Sequence, residues 1–266
     1  MKYAFISGSQ SGLAQAAIKK LTELGFIIFC ADISYKENKK ENNLYYIKMD
    51  ITKDSDILLA FEFVSSITDK LDLITNFAGI VTLGSLIELP MNTLDKIMSI
   101  NLIGTYKINS TFFPLIQKGK GRIINISSEY GKISALPSHG YYGISKHAIE
   151  AYNDSLRREL AFSGVKVVCI RPGAFKTNMQ AGVTNQFESV VEKTKIYKKQ
   201  LTKMQKMMKN ELKKAKNTEI FAKTYIKAAT KKHPKRYYKV NNSFKMKLFN
   251  ALPTPLQDAS LKKYFK

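Results

Sequence analysis

The stretch that decides the fold reads RIINISSEYGKISALPSHGYYGISK and runs from Arg122 to Lys146. Its first part is a β-branched run that ends in two serines, which is typical of a buried strand that stops at a polar edge. The segment after it carries apolar residues at spacings of three and four, which predicts a helix. These residues are Ile149, Tyr152, Leu156 and Leu160.

A tyrosine and a lysine, Tyr142 and Lys146, stand four residues apart in this helical segment. Positions i and i+4 share one face of a helix, so both side chains point toward the strand that delivers the serines. An ammonium near a phenol stabilises the phenolate and lowers the phenol pKa from about 10, which suits general acid/base catalysis. A serine hydroxyl opposite can hold the oxygen that gains or loses the proton. The pattern predicts a proton-transfer site for an alcohol or a carbonyl, although an ordinary exposed helical pair has the same spacing.

A glycine-containing turn, Gly8 to Ala14, follows the first strand-like run and precedes an apolar helical pattern. In this context glycines let backbone amides approach a pyrophosphate at the positive end of the helix. An acid, Asp32, ends the second strand-like run about twenty residues further on, where a carboxylate can bond a ribose diol. The alternative for Asp32 is a turn or helix-cap acid.

Strand-like runs alternate with helical patterns along the chain. The predicted strands cover 2–7, 26–31, 44–49, 71–75, 122–127, 165–170 and 236–240, and further helices are predicted at 57–67, 93–117 and 218–231. This alternation predicts an α/β fold with a parallel sheet and helices on both faces. Ligands bind at the carboxyl ends of the strands in such sheets. The residues that follow those ends include Gly8, Asp32, Asn76, Ser128, Pro172 and Gly173.

The length of 266 residues and the hydrophobic content of 44% suit one globular domain, 1–266. Cys30 and Cys169 each stand in an apolar strand-like run, so they are interpreted as core residues and not as a disulfide or metal site. The N-terminus lacks the pattern of a signal peptide, and no stretch approaches the ~20 apolar residues of a membrane span. Together these features predict a cytoplasmic protein without a metal site.

The net charge of +22 is concentrated toward the C-terminus. Residues 181–266 hold 22 Lys and Arg against 5 Asp and Glu, whereas residues 1–180 hold 21 against 16. Such a region favours contact with an anionic membrane or an acidic partner, and nucleic acid is not expected. A lysine-rich set of helices that is merely solvated is the alternative. Residues 178–215, which are polar and rich in Met and Lys, predict one or two helices that form a lid over the cleft.

These pieces in this order resemble the short-chain dehydrogenase/reductase family over roughly residues 2–180. The segment 142–179 is most similar to the branch that includes retinol and steroid dehydrogenases, because of DSLRREL (154–160) and PGAFKT (172–177). The resemblance implies a Rossmann-type doubly wound parallel sheet with helices on both faces, a helical lid and a basic C-terminal extension. The cofactor-binding and catalytic core is then 1–177, and 178–266 supplies the lid, the last helix and strand and the basic tail. The motifs that carry the resemblance are Gly8, Gly12, Leu13, Asp50, Asn76, Ala78, Gly79, Asn101, Ser128, Tyr142, Lys146, Pro172, Gly173 and Thr177.

The resemblance implies four catalytic residues. Tyr142 is expected to be the acid/base, and Lys146 is expected to lower its pKa and to hold the nicotinamide ribose. Ser128 is expected to orient the substrate oxygen. Asn101 is expected to anchor a water in the proton relay.

Some features of this sequence compete with the family pattern or depart from it. Tyr141 and Ser127 are rivals for the tyrosine and the serine, and only the family pattern decides between them. Phe77 stands where the family usually has a second asparagine, and Ala14 replaces the last glycine of the turn. The loop between the serine and the tyrosine is about one residue longer than usual.

The resemblance also implies a nicotinamide cofactor, and Asp32 favours NAD(H) over NADP(H) because its carboxylate repels a 2′-phosphate. Asp50 is expected to meet the adenine, 76–79 the adenosine side and Thr177 the carboxamide of the nicotinamide. The expected cofactor contacts are Gly8, Ser11, Gly12, Leu13, Asp32, Asp50, Ile51, Asn76, Ala78, Gly79, Tyr142, Lys146, Pro172, Gly173, Phe175 and Thr177.

The leading hypothesis is an oxidoreductase that moves a hydride between nicotinamide C4 and a secondary alcohol or ketone, with a lipophilic substrate as one option. The alternative is a catalytically silent dinucleotide-binding regulatory or scaffold protein with a basic partner-binding tail. A third hypothesis is an enzyme that sits on a membrane surface through its basic C-terminal region. The resemblance implies a homodimer or homotetramer built through the helices around Asn101 and Tyr142.

Overall fold

A computed structural model describes residues 1–266, except for the side chains of Gln180 and Ala181. The strands are β1 (Lys2–Ser7), β2 (Phe26–Asp32), β3 (Lys39–Glu41), β4 (Leu44–Lys48), β5 (Leu73–Asn76), β6 (Arg122–Ile126), β7 (Lys166–Pro172) and β8 (Tyr237–Val240). The α-helices are α1 (Gly12–Glu23), α2 (Asp54–Ser65), α3 (Thr93–Met98), α4 (Thr105–Thr111), α5 (Phe113–Lys118), α6 (Gly140–Glu159), α7 (Asn178–Lys193), α8 (Lys198–Leu212), α9 (Thr218–Thr230), α10 (Phe244–Asn250) and α11 (Thr254–Phe265).

The strands form one sheet in the order β3-β4-β2-β1-β5-β6-β7-β8. All neighbouring pairs are parallel except β3 with β4, which are antiparallel. From the central strand β1 the chain builds the sheet outward first through β2 and β4 and then through β5 to β8, so the predicted doubly wound α/β fold is confirmed. The order reverses between β1 and β5, and ligands bind at such a reversal, outside the carboxyl ends of the strands.

Apolar layers cover both faces of the sheet. On one face, buried residues of α1 and α9 pack against the sheet, with Leu21, Phe221 and Tyr225 among the fully buried side chains. On the other face, α2, α4 and α5 pack against it around Phe5 and Phe112, whose ring centroids lie 4.1 Å apart. Burial on both faces explains why the central strands read as continuous apolar runs.

The helix predicted at 93–117 is broken in the structure into α3, α4 and α5. A π-helical turn, Ser99–Gly104, joins α3 to α4. Phe112 leaves helical geometry with ψ near 3°, and Pro114 stands in the first turn of α5. Proline has no backbone N–H to continue a preceding helix, so the break at this point has a physical cause.

The region after β7 is helical, as predicted for the lid. A small apolar cluster joins α7 and α8 to the loop after β5, through Leu83, Phe187, Leu201 and Met204. The segment after β8, expected to be an apolar tail, forms the short helices α10 and α11. In the part of the chain that the structure describes, no helix is both long and apolar enough to cross a bilayer.

Candidate active site

The tyrosine and the lysine of the YGISK segment share one face of α6, as their spacing predicts. The Lys146 ammonium nitrogen lies 5.7 Å from the ring centroid of Tyr142. The same nitrogen donates a hydrogen bond of 3.1 Å to the carbonyl oxygen of Ile126, at the end of β6. Lys146 is buried, with 6% of its surface exposed, so its charge is held close to the phenol and to the strand end.

Ser128 lies at the end of β6 and faces the tyrosine. Its side chain accepts a hydrogen bond of 3.3 Å from the backbone N–H of Tyr130, and its hydroxyl lies near enough to the Tyr142 hydroxyl to act on the pKa of that phenol. The rival Ser127 is buried, and its hydroxyl has no hydrogen-bond partner among the described residues. The rival Tyr141 donates its hydroxyl to the carbonyl of Leu86 at 3.3 Å. The structure therefore brings Ser128 and Tyr142 together and directs their two neighbours elsewhere.

Burial is the largest cause of the pKa shifts of Tyr142 and Lys146. It raises the pKa of Tyr142 to about 12, and the nearby Ser128 hydroxyl acts in the opposite direction. Burial also lowers the pKa of Lys146 to about 8, because an ammonium loses hydration inside the protein. The expected lowering of the tyrosine pKa by the lysine is therefore not found in this form of the protein. Tyr142 is held protonated, which suits a proton donor.

Asn101 lies in the π-helical turn and ties three segments together. Its side-chain oxygen accepts from the backbone N–H of Ile80 at 2.8 Å, and its amide nitrogen donates to the carbonyl of Ile80 and to the Ser145 hydroxyl, each at 3.0 Å. Ser145 in turn donates to the carbonyl of Tyr142 at 2.8 Å. These protein partners account for the Asn101 side chain, and the role of Asn101 in anchoring a water stays a prediction. A π-turn at such a position is common at functional sites, where it re-aims one side chain.

Two aromatic residues that sequence reasoning missed support the tyrosine. The Tyr130 ring packs edge-on against Tyr142 with centroids 5.7 Å apart, and it stacks on the His139 ring at 4.9 Å. His139 is buried, which lowers its pKa to about 4 and keeps it neutral. Both residues belong to the loop between the serine and the tyrosine, whose conformation no periodic pattern could predict.

Glu129 is a second residue that the sequence reasoning missed. It follows Ser128 directly, and its carboxylate accepts a hydrogen bond of 2.8 Å from the backbone N–H of Ser243, at the start of α10. Burial raises the pKa of the Glu129 carboxyl above its usual range. This bond links the catalytic turn to the C-terminal helices.

A network of buried asparagines lies beneath the site and includes Asn76. The Asn76 amide nitrogen donates to the side-chain oxygens of Asn109 at 2.8 Å and Asn125 at 3.0 Å. Its oxygen accepts from the Ser7 hydroxyl at 3.1 Å, and Asn125 donates onward to Asn153 at 3.1 Å. Asn76 is 2% exposed, so its side chain joins β1, β5 and β6 and does not reach the adenosine side where it was expected.

The glycine turn has the close backbone packing that a dinucleotide cradle requires. Gly8 has a φ of +68°, and a Cβ atom there would lie 2.3 Å from the backbone nitrogen of Ala78. A Cβ atom on Gly12 would lie 2.8 Å from the Thr177 methyl carbon. The residues present fit a dinucleotide, because only glycine allows this close packing of the turn against Ala78 and Thr177, and the turn leads into the N-terminus of α1, where backbone N–H groups can meet a pyrophosphate.

Two acidic residues were expected near the cofactor. Asp32 is the last residue of β2, and Asp50 follows β4. The Asp32 carboxylate accepts 2.9 Å bonds from the backbone N–H groups of Gln10, in the glycine turn, and of Ser34. Asp50 accepts from the backbone N–H of Thr52 at 2.9 Å and from its hydroxyl at 2.7 Å. Asp32 is thus fixed against the glycine turn, where a ribose diol would lie.

The other residues that were expected to contact the cofactor lie in different surroundings, and only some of them border the site. On Gly79, a Cβ atom would lie 3.2 Å from the Asn101 side-chain oxygen and 3.7 Å from the Lys146 nitrogen, so its backbone borders the site. Phe175 is 5% exposed and packs against Phe221, so its ring belongs to the core and not to the cleft. Five further members have structural contacts: Ser11 caps α1, Leu13 packs on the core, Ile51 contacts Gly104, and Pro172 and Gly173 pair with the end of β8.

Potential metal ligands do not gather in this part of the protein. Among the side chains that the structure describes, His, Cys, Asp and Glu residues form no group of three or more suited to a metal ion.

Comparisons with known proteins give the family. A model of the short chain dehydrogenase family matches residues 2–188. Retinol dehydrogenase 7 of Mus musculus is 35% identical over 185 residues, which is 67% of this chain and 58% of the mouse protein. 17-beta-hydroxysteroid dehydrogenase type 6 of Homo sapiens is 32% identical over 198 residues, which is 71% of this chain and 60% of the human protein. The chain thus spans less than two thirds of the length of these relatives.

A solved structure shows the same fold over nearly the whole chain. A short chain dehydrogenase from Burkholderia cenocepacia in complex with NADP superposes with a TM-score of 0.73 at 18% identity, and the match covers 98% of each chain.

Proposed function

The chain belongs to the short-chain dehydrogenase family, and on that basis we propose that it moves a hydride between a nicotinamide cofactor and a secondary alcohol or ketone. The observation that carries the proposal is the convergence of Ser128, Tyr142 and Lys146 at the carboxyl end of β6. A partly buried phenol beside a serine hydroxyl and a buried ammonium is an arrangement for proton transfer.

Each of the three side chains has a separate task in the reaction. The Tyr142 hydroxyl donates a proton to the carbonyl oxygen of a ketone, and its phenolate takes a proton back from an alcohol. The Ser128 hydroxyl bonds the same substrate oxygen and fixes its position. The Lys146 ammonium lies 5.7 Å from the ring centroid, where its charge would offset part of the cost that burial places on the phenolate once the cofactor and substrate are bound. Ser128 and Lys146 are buried and Tyr142 is partly exposed, so the phenol is open to a substrate while the two groups beside it are shielded from water, which strengthens their interactions with it.

Asn101 positions the others and does not itself transfer a proton. Its bonds to Ile80 and Ser145 fix the loop after Gly79 against α6. Through Ser145, which donates to the carbonyl of Tyr142, this contact fixes the loop after Gly79 relative to the tyrosine.

When bound, the cofactor supplies C4 of the nicotinamide as hydride donor or acceptor. The residues that would hold it are the backbone of Gly8, Ser11 and Gly12 at the N-terminus of α1, together with Asp32 and Lys146. Ala78, Gly79 and Thr177 border the same path.

We further propose that NAD(H) is preferred to NADP(H). Asp32 is bonded to the glycine turn through Gln10, at the position where a 2′-phosphate would bring close to two negative charges. Even with most of the repulsion relieved, about 2–4 kcal/mol remains, which corresponds to a preference on the order of 30- to 1000-fold. Comparison of kcat/KM for the two cofactors tests this, and equal values would show that Asp32 does not face the ribose.

A lipophilic substrate is the substrate class we propose. The named relatives act, by their names, on retinol and on a hydroxysteroid, and both are apolar alcohols. An open, mainly apolar groove of about 630 Å³ lies between α11 and the loop that carries Pro137, and its lining does not include Ser128, Tyr142 or Lys146. The remainder of its lining is Pro255, Asp258, Ala259, Leu261, Lys262 and Phe265.

The experiment that tests the proposal is a titration with NADH and NADPH, followed by a screen of lipophilic ketones and alcohols that records reduced-nicotinamide absorbance. Turnover on any secondary alcohol or ketone supports the oxidoreductase. Tight cofactor binding without turnover across the screen would favour the catalytically silent regulatory or scaffold protein instead.

We propose that residues 1–266 act as one unit, with 1–177 as the cofactor-binding and catalytic core and 178–266 as the lid and basic tail. A homodimer or homotetramer is proposed because Ile103, Tyr106 and Ile144 are exposed on the helices around Asn101 and Tyr142. Light scattering of the purified chain tests the assembly.

A cytoplasmic location with peripheral contact to an anionic membrane is the location we propose. Cys30 and Cys169 are both free and buried, which suits a reducing compartment. The excess of Lys and Arg over residues 181–266 provides the attraction to anionic lipid.

A further inference from the structure

The outward face of α10 combines apolar and basic side chains. Phe244 is 76% exposed and Leu248 is 62% exposed, and their spacing of four places them on one face of the helix. Lys245 and Lys247 are also exposed beside them. Exposed apolar side chains that lie together, with polar side chains around them, are typical of an interaction site.

The apolar stripe continues past the end of α10. Leu252 is 37% exposed and Leu256 is 55% exposed, again at spacings of four along the chain. Residues 244–266 carry five lysines and one aspartate, Asp258. The docking face is defined here as Phe244, Lys245, Lys247, Leu248, Leu252 and Leu256.

Two hydrogen-bonded contacts fix α10 to the loop between Ser128 and Tyr142. Ser243, which caps α10, donates its backbone N–H to Glu129 at 2.8 Å. At the other end, the Asn250 side-chain oxygen accepts from the backbone N–H of Ser134 at 2.6 Å and from its hydroxyl at 3.0 Å. The docking face therefore has a set position relative to the catalytic turn.

A second group of exposed apolar side chains borders the same loop on its other side. Leu86, Ile87 and Met91 are 48%, 71% and 96% exposed. The carbonyl of Leu86 accepts the hydroxyl of Tyr141, and a Cβ atom on Gly140 would contact the Leu86 side chain. The loop between Ser128 and Tyr142, called the substrate loop below, thus contacts both this group and α10.

We propose that the docking face binds the surface of an anionic bilayer. Helices that lie in a membrane interface combine apolar side chains with lysine and gain from both burial and attraction to anionic lipid. The apolar stripe enters the boundary of headgroups and acyl chains while the two lysines of α10 meet the headgroups. The substrate loop, tied to α10, then faces the bilayer.

Other classes of binding partner match the docking face less well than an anionic bilayer does. The core of a protein–protein interface is depleted in lysine, whereas lysines alternate with the apolar residues of α10. A second copy of the chain also carries a net charge of +22, so docking two such faces brings like charges together. Nucleic acid offers phosphates to the lysines but leaves Phe244 and Leu248 in water.

Co-sedimentation with vesicles tests the docking face without any turnover, so its failure is distinct from failure of the proposed reaction. The full chain is expected to bind phosphatidylcholine vesicles that contain phosphatidylserine, and to bind pure phosphatidylcholine much more weakly. Replacing Phe244 and Leu248 together by Ser is expected to weaken binding roughly tenfold or more. Phe162→Ser is the matched control, because Phe162 is 95% exposed at the end of α6.

The lysines of α10 are tested in the same assay. The double variant Lys245→Gln/Lys247→Gln is expected to bind anionic vesicles more weakly, by about fivefold for each lysine removed at low salt. The difference is expected to shrink at high salt, because salt screens the attraction. Lys19→Gln with Lys53→Gln is the control pair on the N-terminal part of the chain. Equal binding by the α10 variants and their controls would overturn the proposal.

A tryptophan probe measures insertion directly, because the chain contains no tryptophan. With F244W, anionic vesicles are expected to shift the emission to the blue, and brominated lipids are expected to quench it. With F162W, neither change is expected. Vesicle binding that leaves F244W emission unshifted would also overturn the proposal, since it would place the contact elsewhere on the basic surface.

Discussion

The Tyr142 hydroxyl is the single group on which the proposed chemistry depends. Tyr142→Phe removes that oxygen and leaves the ring packed on Tyr130 and Lys146, so folding and cofactor affinity are expected to remain nearly unchanged. The value of kcat is expected to fall by ~10²–10⁴-fold, the contribution of a general acid or base. Steady-state kinetics and a cofactor titration measure the two effects.

Tyr141→Phe is the matched control and is expected to be mild, because that hydroxyl bonds only the carbonyl of Leu86 among the contacts described. If Tyr142→Phe kept a third or more of the activity, the tyrosine would be removed from the mechanism.

His139 gives a stability change with pH whose sign follows from its burial. Its pKa is lowered to about 4 in the folded protein, whereas a histidine in an unfolded chain titrates near 6.5. As the pH falls below 6.5, the unfolded chain takes up a proton that the folded chain does not, so stability falls. Between pH 6.5 and 5 the loss is about 2 kcal/mol.

Urea unfolding at both pH values, compared between the natural chain and His139→Gln, isolates this contribution from the other titrating groups. The variant is expected to lose less stability over the interval by about that amount. Identical losses in the two proteins would show that His139 is protonated in the folded state.

Spacing along the sequence predicted where some site residues lie, but it did not predict where the side chains of others point. Tyr142 and Lys146 lie side by side because a helix brings positions four apart together. Phe175 and Asn76 were assigned by position, but a motif does not say which way a side chain points, and both point into the interior. Tyr130 was missed because its contact with the tyrosine depends on the fold of a loop.

At the scale of elements, apolar periodicity located most strands and helices but not their interruptions. The segment 93–117 has one helical pattern, and the π-turn inside it depends on the bonds of Asn101 to residues outside the segment. The strand β3 was not predicted because its three residues are exposed and charged. In α9, apolar residues alone did not show which face is buried: Ile220 is 43% exposed, whereas Phe221 and Tyr225 are fully buried.

The contact between α6 and β7 depends on a buried ion pair. Arg171 donates two hydrogen bonds of 2.7 Å to the carboxylate of Glu150, and the residues are 8% and 1% exposed. Glu150→Gln removes the charge partner of a buried guanidinium, so a loss of about 3–5 kcal/mol in unfolding free energy is expected. Replacing both residues by Met is expected to cost less, because no charge is then left unpaired.

Urea unfolding of the single and double variants decides this point. A double variant that is as unstable as Glu150→Gln would mean that the pair stabilises the α6–β7 contact through its hydrogen bonds and not merely by mutual neutralisation.

The lid helices α7 and α8 are expected to open more readily than the helices that cover the sheet. Their shared cluster is small, and α8 carries a lysine-rich surface, both of which favour low local stability. In hydrogen exchange, amides of 178–215 are expected to exchange faster than those of α1 and α6, and to slow when cofactor and substrate bind. Protection equal to that of α1 in the cofactor-free protein would show a fixed helical layer instead.

At the scale of the whole molecule, the alternation of strands and helices predicted the sheet, because parallel strands need a covering crossover between them. The order of the strands places the glycine turn, Asp32 and the serine at one edge of the sheet. The substrate could not be predicted in the same way. The substrate depends on the lid and on α10 and α11. The match to the family model ends at residue 188, inside α7, so no family motif describes α8, α10 or α11.

The central claim is that this chain transfers a hydride with Tyr142 as the proton donor. The most direct measurement supplies NADH deuterated at C4 with a series of lipophilic ketones and analyses the products by mass spectrometry. The account predicts an alcohol that carries the deuterium on its carbinol carbon, and almost none from Tyr142→Phe. Cofactor binding without any labelled alcohol, or equal yields from both proteins, would contradict it.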